Sequence, residues 1–315
     1  MRPTAAVDPR AWTAATIDHP SSWYYPLPAP CWAACQGILR SKSLAPLAEI
    51  QLSASERQQC AEALGPVCAA LENGRGFAII EAPPDVRLSP REATILYWIV
   101  GQGLGRPFAQ NVQGTLLYDV RDLGHDLSQG ARFSVTNYES SFHTDNSFGA
   151  AILDYVGLLC LQIAKSGGRS QVVSGFAALD ELRNRHPDVL ATLCQPFHID
   201  RRGGIREGET PTVQFPVLQP NSGALLVRYL RYWIEAGHEK VGQPLSAAQA
   251  SALDTLDQIL NRRELRAEFD LKPGDMYFIN NRWILHNRTA FEDYPELERR
   301  RHLVRLWLQA PSLAS

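Results

Sequence analysis

Residues 136–148 read T-N-Y-E-S-S-F-H-T-D-N-S-F, and His143 and Asp145 stand at their centre with only Thr144 between them. On extended backbone, positions i and i+2 project to one face, so this imidazole and carboxylate converge on one point. Such a pair supplies two thirds of the 2-His-1-carboxylate facial triad, a ligand set that leaves positions on a bound metal open. With eight His and sixteen Asp in 315 residues, one H-x-D is an ordinary event, and the chain carries another at His198-Ile199-Asp200. The surroundings of each pair must decide between them.

A facial triad needs a second histidine from far along the chain. Residues 274–289 read G-D-M-Y-F-I-N-N-R-W-I-L-H-N-R-T, in which a Pro-Gly-Asp turn feeds one strand and His286 ends a second. Residues 299–309 then read R-R-R-H-L-V-R-L-W-L-Q. At period two, Arg301, Leu303, Arg305 and Trp307 share one face, and His302, Val304, Leu306 and Leu308 share the other. The second face is almost wholly apolar. Two arginines on the opposite face of a buried strand would be costly without anionic partners, and a guanidinium fork is the usual answer to a carboxylate. An edge strand whose arginine face meets water reads equally well from these residues alone.

Hydrophobic content of 45% and charged content of 20% describe a core-forming protein. A net charge of -2 gives no reason to expect nucleic acid or an anionic membrane as the partner. The six cysteines, at 31, 35, 60, 68, 160 and 194, form no CxxC and are expected to be reduced, as in a cytoplasmic protein. The first ten residues contain no apolar signal region, and no stretch approaches the roughly 18 apolar residues of a membrane span. The partner expected is a small-molecule substrate, and a homo-oligomer stays open.

Residues 1–45, rich in Pro, Trp and Tyr, are expected to form an irregular N-terminal arm of a single domain spanning 1–315. A helix from Ser53 or Ser55 to Leu71, a strand over 76–80 and a helix opened by the Ser89-Pro90-Arg91-Glu92 capping box follow. After Gly105 the character turns to strands near 115–120, 152–164, 170–173, 212–218, 224–229 and 268–309. Helices interrupt these strands over 176–193 and 247–260. Short strands without regular βα alternation predict a mainly β fold with helical additions (α+β), a sandwich or jelly roll.

The H-T-D at 143–145, the G-D-x-x-x-x-N-N-R-x-x-L-H-x-R-T context of His286 and the R-R-H-L-V-R-L-W-L strand together resemble the taurine/chlorophenoxyacetate dioxygenase family. The likeness spans roughly residues 74–309. It implies a double-stranded β-helix with N-terminal helices and a helical insertion. It also implies Fe(II) held by His143, Asp145 and His286, with 2-oxoglutarate and O2 as cosubstrates. Ser170 stands 27 residues after His143, the interval at which members similar to taurine dioxygenase carry a cosubstrate-contacting Thr or Ser, whereas the same step from His198 reaches Leu225. His198-Ile199-Asp200 is accordingly read as a surface or strand pair.

The resemblance further implies that Arg305 grips the distal carboxylate of 2-oxoglutarate together with Ser170, and that Arg301 sits nearer the metal-chelating end. The reaction implied is hydroxylation of a small amine- or carboxylate-bearing metabolite, in natural-product biosynthesis, with release of succinate and CO2. Desaturation, epoxidation or cyclisation can follow the same hydrogen abstraction, while retention of Asp145 argues against halogenation. A zinc hydrolase could use the same three ligands but has no need of Ser170, Arg301 and Arg305 together. A non-catalytic jelly-roll binding protein has no need of the ligands. Tyr138, Phe142, Asn146 and Phe148 flank the ligands and are expected to line the substrate pocket. Phe142 replaces a Trp, and Tyr138-Glu139 an Asp-Asn pair, of taurine dioxygenase, which points away from taurine.

Overall fold

The computed structural model describes residues 8–124, 135–202, 205 and 207–311; residues 1–7 of the expected arm and of the N-terminal reading lie outside the described residues. The chain opens with β1 (Tyr24–Pro26), α1 (Ala29–Lys42), α2 (Ala54–Ala63), α3 (Gly65–Asn73), β2 (Phe77–Glu81) and α4 (Pro90–Leu104). There follow β3 (Arg106–Phe108), β4 (Leu117–Arg121), β5 (Tyr155–Gln162), β6 (Ser166–Gly167), β7 (Ser170–Ser174), α5 (Gly175–Arg185) and α6 (Pro187–Leu193). Next come β8 (Pro196–Asp200), β9 (Thr212–Pro216), β10 (Leu218–Asn221), β11 (Ala224–Val227), α7 (Arg231–Lys240) and α8 (Ala247–Leu260). The last strands are β12 (Arg266–Phe269), β13 (Met276–Asn280), β14 (Ile284–Arg288), β15 (Phe291–Glu292) and β16 (His302–Gln309).

Seven strands make one sheet in the order β1-β2-β13-β5-β16-β3, with β4 also bonded to β16, and β12-β7-β14 make a second. Strand β16 is antiparallel to β5 along one side and to β3 and β4 along the other. It is therefore an interior strand, and its arginine face does not meet water as an edge would. Val304, Leu306 and Leu308 are buried in a cluster with Tyr97, Trp98 and other residues of α4. Leu303, Arg305 and Trp307 face a cavity on the other side. The period-two split of this strand thus separates packing from chemistry.

Three helices start at a serine cap with a reciprocal capping box: Ser53/Glu56, Ser89/Glu92 and Ser246/Gln249. The expected single helix from 53 to 71 is two helices, because Pro66 lacks the N–H that an unbroken helix would use and instead sits in the first turn of α3. The arm is not irregular throughout. Residues 29–42 form α1, whose prolines fall before and within its first turn, where they are tolerated, and Cys31, Ala34 and Cys35 bury at helical spacing. Trp12 and Trp23 do pack into the core, as aromatics of a covering arm should. Helix α7 was not visible in the sequence pattern. No helix among the described residues is long and apolar enough to cross a membrane.

Helix α7 lies close against strand β8. A Cβ built on Gly237 of α7 would sit 2.5 Å from the carbonyl oxygen of His198 and 2.8 Å from the amide nitrogen of Asp200. Both are backbone atoms of a paired strand and cannot rotate away. Gly237→Ala is expected to destabilise the protein by about 1–3 kcal/mol through overpacking, read as a lower midpoint in urea unfolding with an unchanged slope.

Candidate active site

The segment carrying His143 forms no strand of its own, yet one residue of it pairs. His143 and His286 form an isolated antiparallel bridge: the amide of His143 donates to the carbonyl of His286 at 3.0 Å, and the amide of His286 returns a bond at 2.9 Å. Residues that exchange both bonds lie directly opposite each other with side chains on the same face. The two imidazoles accordingly stand with ring centroids 4.3 Å apart. Position 144 is fastened to the opposite side. Its amide donates to the Tyr229 carbonyl at 2.8 Å, and its hydroxyl donates to the Val227 carbonyl at 3.0 Å.

Asp145 is held by an amide side chain that imitates a strand partner. Asn281 Oδ1 accepts from the Asp145 amide at 2.8 Å and Asn281 Nδ2 donates to the Asp145 carbonyl at 3.0 Å. Asn281 lies in the turn between β13 and β14, so the same turn that leads to His286 fixes the carboxylate. Asp145 Oδ1 is 3.6 Å from His143 Nε2. Asp145 Oδ2 takes Trp307 Nε1 at 2.8 Å and Arg305 at 3.0 Å. Burial opposes ionisation of Asp145, but Arg305 and the two imidazoles outweigh it and hold its carboxyl well below the usual carboxylate range. Arg305 is itself aimed by Gln110, whose Oε1 accepts from its Nε at 2.8 Å and whose Nε2 donates to its carbonyl at 2.9 Å.

His143 Nδ1 meets the Ser141 carbonyl at 2.8 Å. A carbonyl only accepts, so Nδ1 donates to it and Nε2 is the ring nitrogen left facing Asp145 and the cavity. Burial pushes the His286 imidazole down to about 3, aided by His143 and Arg305 and opposed by Asp145, so it is neutral and able to donate a lone pair. One ligand atom from each of His143, Asp145 and His286 lies within 4.8 Å of the other two; among the described residues this is the group that could hold a metal ion. Two imidazoles and a carboxylate suit Fe(II) or Zn(II) equally.

What separates those metals is the rest of the cavity, which has a volume of about 800 Å³ and is lined by these three residues together with Ser140, Ser170, Tyr277, Asn287, Arg288, Arg301 and Arg305. Arg301 is 6% exposed, and no acceptor bonds its guanidinium among the described residues; it rests over the Phe291 ring at 5.3 Å. Burial lowers it to about 10, offset only in part by Cys160 and Asp293, the response of a cation whose guanidinium is bonded to no anion. A dicarboxylate reaching from the metal would supply one; a zinc-bound water would not.

The structure reverses the expected order of the two arginines. Arg305 is beside Asp145, whereas Arg301 adjoins the turn that precedes Ser170, where a Cβ on Gly168 would be 3.3 Å from Arg301 Nε. Four strand residues separate the arginines by roughly 13 Å, and β16 runs toward the Asp145 end, so the later arginine is the one nearer the candidate metal ligands.

Of the four expected pocket residues, Asn146 and Phe148 line the cavity, and Tyr138 and Phe142 do not. Phe142 is one residue from His143, hence on the opposite face, and is buried in the core at 2% exposure. Tyr138 is 51% exposed, and its carbonyl, not its ring, is used, as an acceptor for Arg288. Lining residues missed from the sequence include Gln110, Arg201, Arg202, Glu209, Tyr232 and Trp233; nothing in their local pattern distinguishes them from surface residues. The competing pair belongs to β8, where Asp200 is buried against Lys240 at 2.6 Å and His198 meets Gln214 at 2.9 Å. A third H-x-D, His186-Pro187-Asp188, merely joins α5 to α6.

A buried neutral imidazole makes the metal-free protein acid-sensitive. The unfolded chain binds a proton at His286 below about pH 6.5 while the folded chain resists until about 3, so stability falls as pH falls through that window. Asp145 acts in the same direction at its lower end, because its folded pKa is depressed. Urea unfolding of the metal-free protein is expected to show this loss, and His286→Gln to flatten it.

Residues 40–307 match the family described as taurine catabolism dioxygenase TauD, TfdA family. The chain is 31% identical to FR-33289 synthase of Streptomyces rubellomurinus, over 76% of this chain and 70% of that protein. It is 28% identical to the uridine-5'-phosphate dioxygenase of an Amycolatopsis species, over 75% of this chain and 86% of that one. Its fold is similar to that of an asparagine oxygenase solved with Fe(II), 2S,3S-3-hydroxyasparagine and succinate, with a TM-score of 0.68, 18% identity, and coverage of 91% and 93% of the two chains. With the His-Asp-His geometry and the match over most of its length, the chain belongs to the taurine catabolism dioxygenase TauD, TfdA family.

Proposed function

We propose that the protein hydroxylates a small amine- or carboxylate-bearing metabolite in a biosynthetic pathway, using Fe(II), 2-oxoglutarate and O2 and releasing succinate and CO2. The observation that carries this reading is the combination, on one cavity, of three converging donor atoms and a buried guanidinium without an anion. Relatives named for a uridine phosphate and an asparagine support a small polar substrate. In this reading the two sheets are the two halves of a jelly roll in a single domain, and the six free cysteines suit the cytoplasm.

His143, Asp145 and His286 would hold the iron, with Asp145 giving one oxygen because Trp307 and Arg305 occupy the other. Arg301 with Ser170 would take the distal carboxylate of 2-oxoglutarate, and Arg305 would stand by its metal-chelating end. When bound, iron and 2-oxoglutarate supply the oxidising chemistry that splits O2, decarboxylates the cosubstrate and places one oxygen atom on the substrate. The chain's own contribution is to position these groups and to keep the cavity walls apolar where Val156, Leu158 and Leu303 line it.

Under anaerobic conditions, protein with Fe(II) and 2-oxoglutarate is expected to show a weak charge-transfer band in the visible, and to release succinate on admission of air. His143→Ala and Asp145→Ala should abolish both signals, and Asp200→Ala should keep the band; a band that survives the first two changes excludes this ligand set. Arg301→Met should weaken 2-oxoglutarate binding by about ten- to a hundredfold, the value of a charge-assisted hydrogen bond, in a titration of the same band. Unchanged affinity would return the distal role to Arg305.

A further inference from the structure

Strand β13 carries Tyr277 on the inward face of the larger sheet. In register, Tyr277 stands opposite Leu158 of β5, and Leu158 stands opposite Arg305 of β16. Directly opposed residues share a face, so the three side chains project together between the sheets, and all three line the cavity. Tyr277 is 2% exposed. It belongs to the floor of the cavity, whereas Tyr232 and Val112, 44% and 50% exposed, belong to its mouth.

The Tyr277 hydroxyl is buried and has no hydrogen-bond partner among the described residues. The ring is well placed without it, packed edge-to-face on Phe269 with centroids 5.0 Å apart. A phenylalanine would make the same contact. A buried hydroxyl that bonds nothing costs free energy that a phenyl ring would not. Burial also pushes the ionisation of the phenol well above its ordinary value, so the group is a neutral donor. The acceptor that suits it is one that enters the cavity.

The neighbours of the ring indicate which part of a bound molecule it meets. Phe269 lies directly opposite Ser170 in the β12–β7 pairing. Tyr277 thus leans on the Ser170 side of the cavity, the side to which Arg301 comes beside Gly168. At the other end the polar groups already have partners: Arg305 bonds Gln110 and Asp145, and Trp307 bonds Asp145.

We propose that the Tyr277 hydroxyl donates a hydrogen bond to the distal carboxylate of 2-oxoglutarate, alongside Arg301 and Ser170, and so helps select a dicarboxylate over a 2-oxo acid with an apolar end. A carboxylate offers about four lone-pair sites, enough for a guanidinium and two hydroxyls. The assignment rests on the oxygenase reading and adds to it a residue from β13. The distal carboxylate is then held from both sheets, by Ser170 on β7 and by Tyr277 on β13.

The test uses the full chain with Fe(II) under anaerobic conditions, titrated through the visible band. The two titrants are 2-oxoglutarate and 2-oxovalerate, in which a methyl group replaces the distal carboxylate. Tyr277→Phe should weaken 2-oxoglutarate by about tenfold, as for loss of a hydrogen bond to a charged group, and leave the affinity for 2-oxovalerate unchanged. In the metal-free protein the same substitution should leave the urea midpoint unchanged or raise it, because the hydroxyl it removes bonds nothing there. Wild-type affinity for 2-oxoglutarate in the variant, or an equal loss for 2-oxovalerate, would overturn the proposal. A lowered urea midpoint would overturn it too, by revealing a structural partner for the hydroxyl. Failure of the oxygenase reading would appear separately, as a missing band in the wild type with 2-oxoglutarate.

Discussion

The candidate site depends on two backbone hydrogen bonds, the reciprocal pair between His143 and His286. They join a segment with no strand of its own to the middle of β14. Because the pairing is antiparallel and doubly bonded, it sets which face each side chain takes as well as how far apart the chains lie. A slip of one residue would turn Phe142 toward the cavity and send the imidazole and carboxylate into the core. The neighbours make such a slip costly: Thr144 is tied to Val227 and Tyr229, and Asp145 to Asn281. Apart from the Thr144 hydroxyl, these anchors are backbone groups and the Asn281 amide, so the register is held without using the two imidazoles or the carboxylate.

The charges are arranged around that frame. A buried carboxylate would be unfavourable alone, and Arg305 offsets it at close range. Trp307, on the same strand face, takes part of the same oxygen, which leaves Oδ1 directed at His143. The carboxylate is thereby prepared to give one oxygen to a metal, leaving room on that metal for a cosubstrate. Arg301 is the uncompensated member of the strand. Its burial without an anion is tolerable only if an anion belongs there, which is the strongest physical ground for preferring a dicarboxylate cosubstrate over a hydrolytic zinc centre.

What was legible in the chain was local parity. Alternation along 301–308 separated the cavity face of β16 from its packing face, and the serine caps marked the starts of α2, α4 and α8. The same parity rule, applied one residue further, would have removed Phe142 from the pocket, since it cannot share a face with His143. The order of Arg301 and Arg305 was not legible, because it depends on which end of β16 meets Asp145, a matter of how distant segments pair. Helix α1 was hidden by prolines that its first turn accommodates, and α7 by a mixed R-Y-W-I-E-A-G-H-E-K pattern whose buried face exists only because β8 is there to receive Gly237. Arg201 and Arg202 were likewise indistinguishable from solvated residues until the fold brought them to the cavity wall.

Two of the three H-x-D pairs in the chain, 143–145 and 198–200, show how far a motif is from a function. The residue types and the spacing are identical, and both carboxylates are buried. At 143–145 the partner strand brings a third donor, His286, and Arg305 stabilises the anion without blocking the oxygen turned toward the imidazole. At 198–200 the partner is α7, which brings a lysine within 2.6 Å of Asp200, and His198 turns to Gln214. A lysine at that distance occupies the place a divalent cation would need and fills it with a single fixed charge, so the second pair holds backbone, the Arg202 amide at 2.8 Å from Asp200 Oδ1, instead of metal. The chemistry of each pair is decided by the element packed against it, and in this fold those elements are β14 for the one and α7 for the other.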